Sequence, residues 1–161
     1  MRVFIIRHAI AEERAPGVVD DERRLTKRGQ KRFRGAARGL ARLYAPPSVM
    51  ISSPLVRARQ TARIASQAWD GLEVALDDAL AGGSVEDVVK LLARFPADAS
   101  VALVGHEPQL SELLAHLVES NDASRLAFKK GGVGVVDLPG GPASAGTLAA
   151  FLPPGVLRAV R

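Results

Sequence analysis

The sequence predicts an α/β fold, a three-layer α/β/α arrangement with a mainly parallel central sheet and antiparallel strands near the C-terminus. Three observations carry this expectation. The apolar runs Val3–Ile6, Val49–Ile51 and Val101–Val104 are short and continuous rather than alternating, as in strands buried on both faces of a parallel sheet. Each run is followed by a loop and then by a stretch of helical periodicity. Beyond Gly132 the pattern changes to two strand-like segments joined by the glycine-rich turn PGGPASAG.

Val3 to Ile6 forms the first strand and runs directly into Arg7 and His8. Glu12 to Arg24 is charged and contains Pro16-Gly17, so it reads as a long loop of the kind that carries function. Thr26 caps a helix over 27–44, in which Phe33, Ala36, Ala37, Leu40 and Leu43 recur at three- and four-residue spacing opposite a face of Arg and Lys. Pro46-Pro47 ends it. Val49 to Ile51 is the second strand, Ser52-Ser53-Pro54 a loop, and the chain is helical again through Ala68. Leu72 to Leu76 is the third strand, after which Gly82-Gly83-Ser84 breaks the chain and caps a helix over 85–95. The fourth strand, Val101 to Val104, ends at Gly105-His106, and Pro108 opens a helix through Val118. Gly132 to Leu138 and Thr147 to Leu152 are the antiparallel pair.

A chain of 161 residues is expected to form a single domain over residues 1–161. Its 22 Lys and Arg against 17 Asp and Glu leave a net charge of +5, which favours an anionic partner. One Trp, one Tyr and five Phe supply no base-stacking platform, so nucleic acid is not the expected partner. The absence of cysteine excludes disulfides, thiolate metal sites and a cysteine nucleophile. The first apolar run is four residues long and stops at a charge. That pattern fits neither a secretion signal nor a membrane span, and a cytoplasmic protein is expected.

In an open α/β sheet, ligands bind beyond the carboxyl ends of the strands. Three predicted strand ends deliver chemistry there: Arg7 and His8, then Ser52-Ser53 with the helix bearing Arg57, then His106. Guanidinium groups match phosphate oxygens in bidentate, charge-assisted hydrogen bonds. An arginine beside a histidine lowers its pKa, because a second positive charge is disfavoured next to the first. A neutral imidazole so placed can attack a phosphoryl group, giving a phosphohistidine intermediate that water then hydrolyses. Singly, each of these residues has an ordinary structural reading; their coincidence at three strand ends is what points to a site. His116 lies ten residues beyond His106 in a predicted helix and is expected to face away, so neither a metal nor another cofactor is expected.

Five segments, RHAIA (7–11), DDERRLTKRG (20–29), SSPLVRARQTA (52–62), VGHEPQL (104–110) and FKKGGVGVV (128–136), resemble in order and spacing the histidine phosphatase superfamily. The match is to its small SixA-like branch of phosphohistidine phosphatases and spans nearly the whole chain. The resemblance implies a phosphoglycerate mutase-like fold and a metal-independent phosphatase. It also implies that His8 is the phosphate-accepting nucleophile and that Arg7, Arg57 and His106 form the phosphate pocket. Arg23 lies in the segment resembling the D-x-x-R-P-L-T element and is expected to touch substrate; Arg24 stands where that element has proline. Ala9 stands where many members have glycine.

No general acid is assigned; Glu12, Asp20, Asp21, Asp78 and Glu107 are the carboxylates placed by position. A phosphorylated imidazole leaves as a neutral ring when its other nitrogen is protonated, and a histidine pKa of about 6.5 makes that easy near neutrality. An alkyl phosphoester needs a proton donor more. Together with short loops around residues 77–84 that give little lid, this favours phosphohistidine on a signalling or phosphotransfer protein. The alternative is a phosphomonoesterase acting on a small-molecule phosphate or polyphosphate. The basic helix face of Arg28, Lys31, Arg34 and Arg38 is read as solvated.

Overall fold

Val3, Phe4, Ile5 and Ile6 are each at most 1 % exposed, because the strand that carries them lies in the middle of a sheet covered on both faces. The computed structural model describes residues 1–14, 16–17 and 19–161. Its sheet comprises β1 (Arg2–Arg7), β2 (Val49–Ser52), β3 (Val74–Leu76), β4 (Ser100–Gly105), β5 (Val133–Asp137) and β6 (Thr147–Leu152), in the order β3-β2-β4-β1-β5-β6. β3, β2, β4 and β1 run parallel, whereas β5 and β6 are antiparallel additions beside β1. The predicted α/β class and the C-terminal antiparallel pair are both present.

Alternate residues of the central strands feed two separate cores. Phe4, Ile6, Ala102 and Val104 join Phe33, Ala36, Ala37, Leu40 and Trp69 under α1 (Lys27–Leu43) and α2 (Val56–Ala68). Val3, Ile5, Val101 and Leu103 join Val88, Leu91, Leu92, Leu110, Leu113 and Leu114 under α3 (Val85–Leu92) and α4 (Gln109–Leu117). Three layers result.

Capping sets the helix bounds. Gly29 N–H donates to Thr26 Oγ1 (2.9 Å) at the start of α1. Ser84 and Asp87 form a reciprocal capping box at the start of α3. α1 ends at Leu43, which is 47 % exposed rather than part of the buried stripe expected of it. β3 begins at Val74 rather than Leu72, and α3 ends at Leu92 rather than Phe95.

Two features depart further from the sequence reading. The loop over Glu12 to Arg24 contains a 3-10 turn at Asp20–Glu22; Ala15 and Val18 of that loop lie outside the described residues. A short α5 (Pro154–Ala159), not expected from the sequence, packs across α1. Among the described residues no helix is long and apolar enough to cross a membrane.

Candidate active site

Strand order gathers the site. β1, β4 and β2 are adjacent and parallel, with Arg7 opposite Gly105 and Ser52 opposite Val104, so their carboxyl ends open side by side. The chain from β1 returns as β2 on the far side of β4, which makes this a topological switch point. Arg7, His8, Ser53 and His106 leave the sheet here, and α2 adds Arg57 from its first turn.

His8 is 7 % exposed, and its backbone is fixed on both sides. Its N–H donates to the Gly105 carbonyl, and Gly131 N–H donates to the carbonyls of Arg7 and His8, each at 3.1 Å. Gly131 has φ +79°, a left-handed conformation that glycine adopts without strain. Ala9 N–H donates to Thr61 Oγ1 (3.0 Å), and the Thr61 hydroxyl donates to the Arg57 carbonyl (2.7 Å), which ties the loop carrying His8 to α2.

His8 Nδ1 lies 2.7 Å from the Ala9 carbonyl oxygen. A carbonyl only accepts, so Nδ1 carries the proton, and in the neutral ring Nε2 holds the lone pair. Burial pushes the His8 pKa down to about 4; the Ala9 hydrogen bond opposes this, and the charges of Arg57 and Arg7 reinforce it. This corrects the sequence-based argument in its cause. Arg7 helps keep His8 unprotonated, but desolvation comes first.

His106 approaches from β4, its ring centroid 5.1 Å from that of His8. Burial, then His8 and Arg57, pushes its pKa down to about 3. In the free site His106 is therefore neutral, so it can serve an anion through a hydrogen bond and not through a positive charge. Its Nε2 lies 2.9 Å from Ser53 Oγ, a side chain with no solvent exposure.

Arg57 is 6 % exposed; its Nη1 donates to the Asp20 carbonyl (2.7 Å) and its Nη2 to Asp20 Oδ2 (3.0 Å). Asp20 also accepts from Arg23 Nε (2.9 Å) and Arg14 Nε (2.8 Å). Desolvation works against this carboxylate, but the hydrogen bonds from Arg23 and Arg14 and the charge of Arg57 outweigh it and hold the pKa below the usual range. Asp20 is thus an ionised clamp for arginines, which sets it apart from a proton donor. Through it Arg23 joins the edge of the cluster, with Nη1 donating to the Glu12 carbonyl (2.7 Å).

Arg7 Nη1 donates to the Phe128 carbonyl. Phe128 N–H in turn donates to Glu107 Oε1 (2.6 Å), and Ser111 Oγ lies 2.7 Å from Glu107 Oε2. Glu107 therefore braces the segment that orients Arg7. Gln109 Nε2 donates to the Gly83 carbonyl (2.7 Å), pinning the short loop after β3 against α4. His116 is exposed on a different surface beside Glu119 and Asn121. Among the described residues no three His, Asp or Glu side chains are grouped to hold a metal ion.

The cluster leaves three buried polar atoms without hydrogen-bond partners: Arg7 Nε, Arg57 Nε and His106 Nδ1. Two are guanidinium donors, and each buried donor left unpaired costs about 1–3 kcal/mol. Guanidinium donors of this kind are matched by the oxygens of a tetrahedral oxyanion. Sequence reasoning missed the supporting residues Ser53 (as a partner of His106), Thr61 and the Phe128 carbonyl, although all three lie within the quoted segments.

Such a site on a switch-point α/β sheet defines a phosphoryl-handling protein, and comparison with known proteins narrows the class. Residues 3–82 match the histidine phosphatase superfamily (branch 1), and the chain belongs to that superfamily. An uncharacterized protein of Picosynechococcus sp. is 35 % identical over 136 residues, 83 % of this chain and 82 % of its own. The solved protein histidine phosphatase SixA, in complex with tungstate, is 25 % identical, with a TM-score of 0.85 over 98 % of this chain and 99 % of that one. A candidate phosphohistidine phosphatase SixA from Agrobacterium tumefaciens is 29 % identical, with a TM-score of 0.79 over 94 % and 96 %. The chain is a phosphatase of SixA-like build.

Proposed function

We propose that this phosphatase hydrolyses phosphohistidine carried on a polypeptide, through a phosphoryl group held transiently on His8 Nε2. The observation that carries the reading is that Arg7, Arg57 and His106 each keep one buried polar atom without a hydrogen-bond partner (Nε, Nε and Nδ1), in a cluster with a histidine whose Nδ1 is committed to the Ala9 carbonyl. That the SixA relative is solved in complex with tungstate, itself a tetrahedral oxyanion, supports a phosphate-like ligand for this fold.

In the first step the Nε2 lone pair attacks phosphorus and the substrate's P–N bond breaks, its electron pair passing to the departing imidazole. That ring leaves neutral when its distal nitrogen already carries a proton, so no protein acid has to donate one. This suits a site in which Asp20 and Glu107 are both engaged in hydrogen bonds. Because Nδ1–H stays on the Ala9 carbonyl, the phosphorylated His8 ring carries a positive charge and is itself a good leaving group. In the second step water attacks phosphorus, the P–Nε2 bond breaks, and the electron pair returns to Nε2. The proton lost by the water leaves with phosphate or solvent. Arg7, Arg57 and Arg23 offset the charge on the phosphoryl oxygens throughout, and the reaction in this reading needs no metal ion.

The test compares turnover on a phosphohistidine protein, sugar phosphates and polyphosphate, with and without chelator. The expected result is a kcat/KM on phosphohistidine higher by about tenfold or more, equivalent to about 1.4 kcal/mol, and unaffected by chelator. A preference for sugar phosphate or polyphosphate contradicts the substrate, and loss on chelation contradicts the metal-free chemistry.

A further inference from the structure

α1 contains glycines that let α5 approach closely. A Cβ on Gly39 would lie 1.8 Å from the Leu157 carbonyl oxygen, and one on Gly35 would lie 3.3 Å from Arg158 Cγ. Glycine inside a helix costs about 1 kcal/mol relative to alanine, so this contact is made against local propensity. Its consequence is positional. Arg158, half-buried on α5, is brought beside Arg32 of α1, and Lys130 from the segment before β5 completes a cationic rim.

Those three cations surround a cavity of about 70 Å³ whose floor is Ile10, Phe33 and Pro154. Ala9 and Gly131 form the wall toward the nucleophile, and Gly131 N–H is the group that holds the His8 carbonyl. Lys130 also contributes to the electrostatics at the His8 ring, linking the cavity to the site. The space equals roughly two water volumes of about 30 Å³, enough for one carboxylate group.

The charges lining it are uncompensated. Arg2, Arg14, Arg23 and Arg57 all pair with aspartates, whereas Arg32, Lys130 and Arg158 form no ion pair among the described residues. Burial, followed by repulsion from Arg32, lowers the Arg158 pKa. Like charges gathered without a counter-ion around an apolar floor are relieved by an anion. The floor also suits the methylene stem of an acidic side chain, with the rim left for its carboxylate.

We propose that this cavity is a second substrate subsite, which takes an Asp or Glu side chain of the polypeptide whose phosphohistidine occupies the His8 site. The proposal rests on the phosphohistidine-protein reading above and adds a sequence preference to it.

The test measures kcat/KM of Arg32→Glu and Arg158→Glu on phosphoramidate and on two phosphohistidine peptides that differ only in an Asp or a Lys beside the phosphohistidine. With the unmodified enzyme, the acidic peptide is expected to exceed the Lys peptide by about tenfold, the fold equivalent of one desolvated ion pair. Charge reversal should invert that ranking and leave phosphoramidate turnover unchanged. Inversion does not depend on stability, because a poorly folded variant loses all three substrates together. Equal rates on the two peptides in the unmodified enzyme, or a ranking left unchanged in a variant that still turns over phosphoramidate, overturn the subsite. If phosphohistidine peptides are not hydrolysed at all, the functional reading fails first. A small bisphosphate whose turnover then falls in Arg158→Glu would overturn the peptide side chain as occupant.

Discussion

Ser53 Oγ accepts the Leu55 N–H (3.3 Å) and lies 2.9 Å from His106 Nε2, fully out of solvent. Among the described residues the Ser53 hydroxyl has no other acceptor, so its proton goes to Nε2 and His106 keeps its own on Nδ1, the orphaned atom. Ser53 thereby makes His106 Nδ1 a donor, the form in which the proposed mechanism uses it against the phosphoryl group. Ser53→Ala is expected to lower kcat/KM by about 10–100-fold, as loss of a tautomer-setting partner does, while Ser53→Thr retains activity. Nitrogen-15 NMR of the ring should show the Nδ1–H tautomer in the unmodified protein and a mixture in Ser53→Ala. An Nε2–H ring in the unmodified protein would contradict the assignment.

Burial, more than neighbouring charge, keeps both site histidines neutral, with pKa values of about 4 for His8 and about 3 for His106. Both lie below the unfolded value of about 6.5, so the unfolded chain takes up protons first as pH falls. Their contribution to stability is complete above pH 6.5 and declines between there and about pH 4 for His8 and about pH 3 for His106, at about 1.4 kcal/mol per fully separated unit. Ring titration by NMR should give midpoints below 5 for both residues. Midpoints near 6.5 would show the site to be wetter than the geometry implies.

Arg57 and Arg23 share one carboxylate, Asp20. Arg57→Lys keeps the charge but loses the planar fork held by the Asp20 carbonyl and Oδ2, and kcat is expected to fall by about 10²–10³-fold. Asp20→Asn should cost less, about tenfold, since an amide oxygen still accepts from one arginine. A variant Asp20→Asn whose kcat falls as far as that of Arg57→Lys would give Asp20 a direct part in the chemistry.

The parts of the fold visible in the sequence are those that local pattern determines. Val3–Ile6 and Val101–Val104 read as buried strands because no polar residue interrupts them, and their ends carry Arg7, His8 and His106 by adjacency alone. α5 was not visible, because its six residues after Pro153 make fewer than two helical turns, too short for an apolar face to repeat, and its anchor is a tertiary contact at Gly39. The supporting hydroxyls were hidden for the same reason: Ser53 meets His106 across 53 positions and Thr61 meets Ala9 across 52. The cause of the low His8 pKa is likewise tertiary, since burial is a property of the assembled layers.

Gly39→Ala tests that packing. Despite a helix-propensity gain of about 1 kcal/mol, it should destabilise the protein by about 1–3 kcal/mol in chemical denaturation, because its Cβ has no room beneath the Leu157 carbonyl. An increase in stability would mean that α5 packs more loosely than described.

The central claim is that His8 Nε2 carries the phosphoryl group during turnover, and rapid quenching with a radiolabelled phosphohistidine protein tests it most directly. An acid-labile phosphoenzyme should form and decay at rates that account for kcat, map to His8, and be absent from His8→Ala together with turnover. Steady-state hydrolysis with no phosphoenzyme, or full turnover by His8→Ala, would contradict the mechanism.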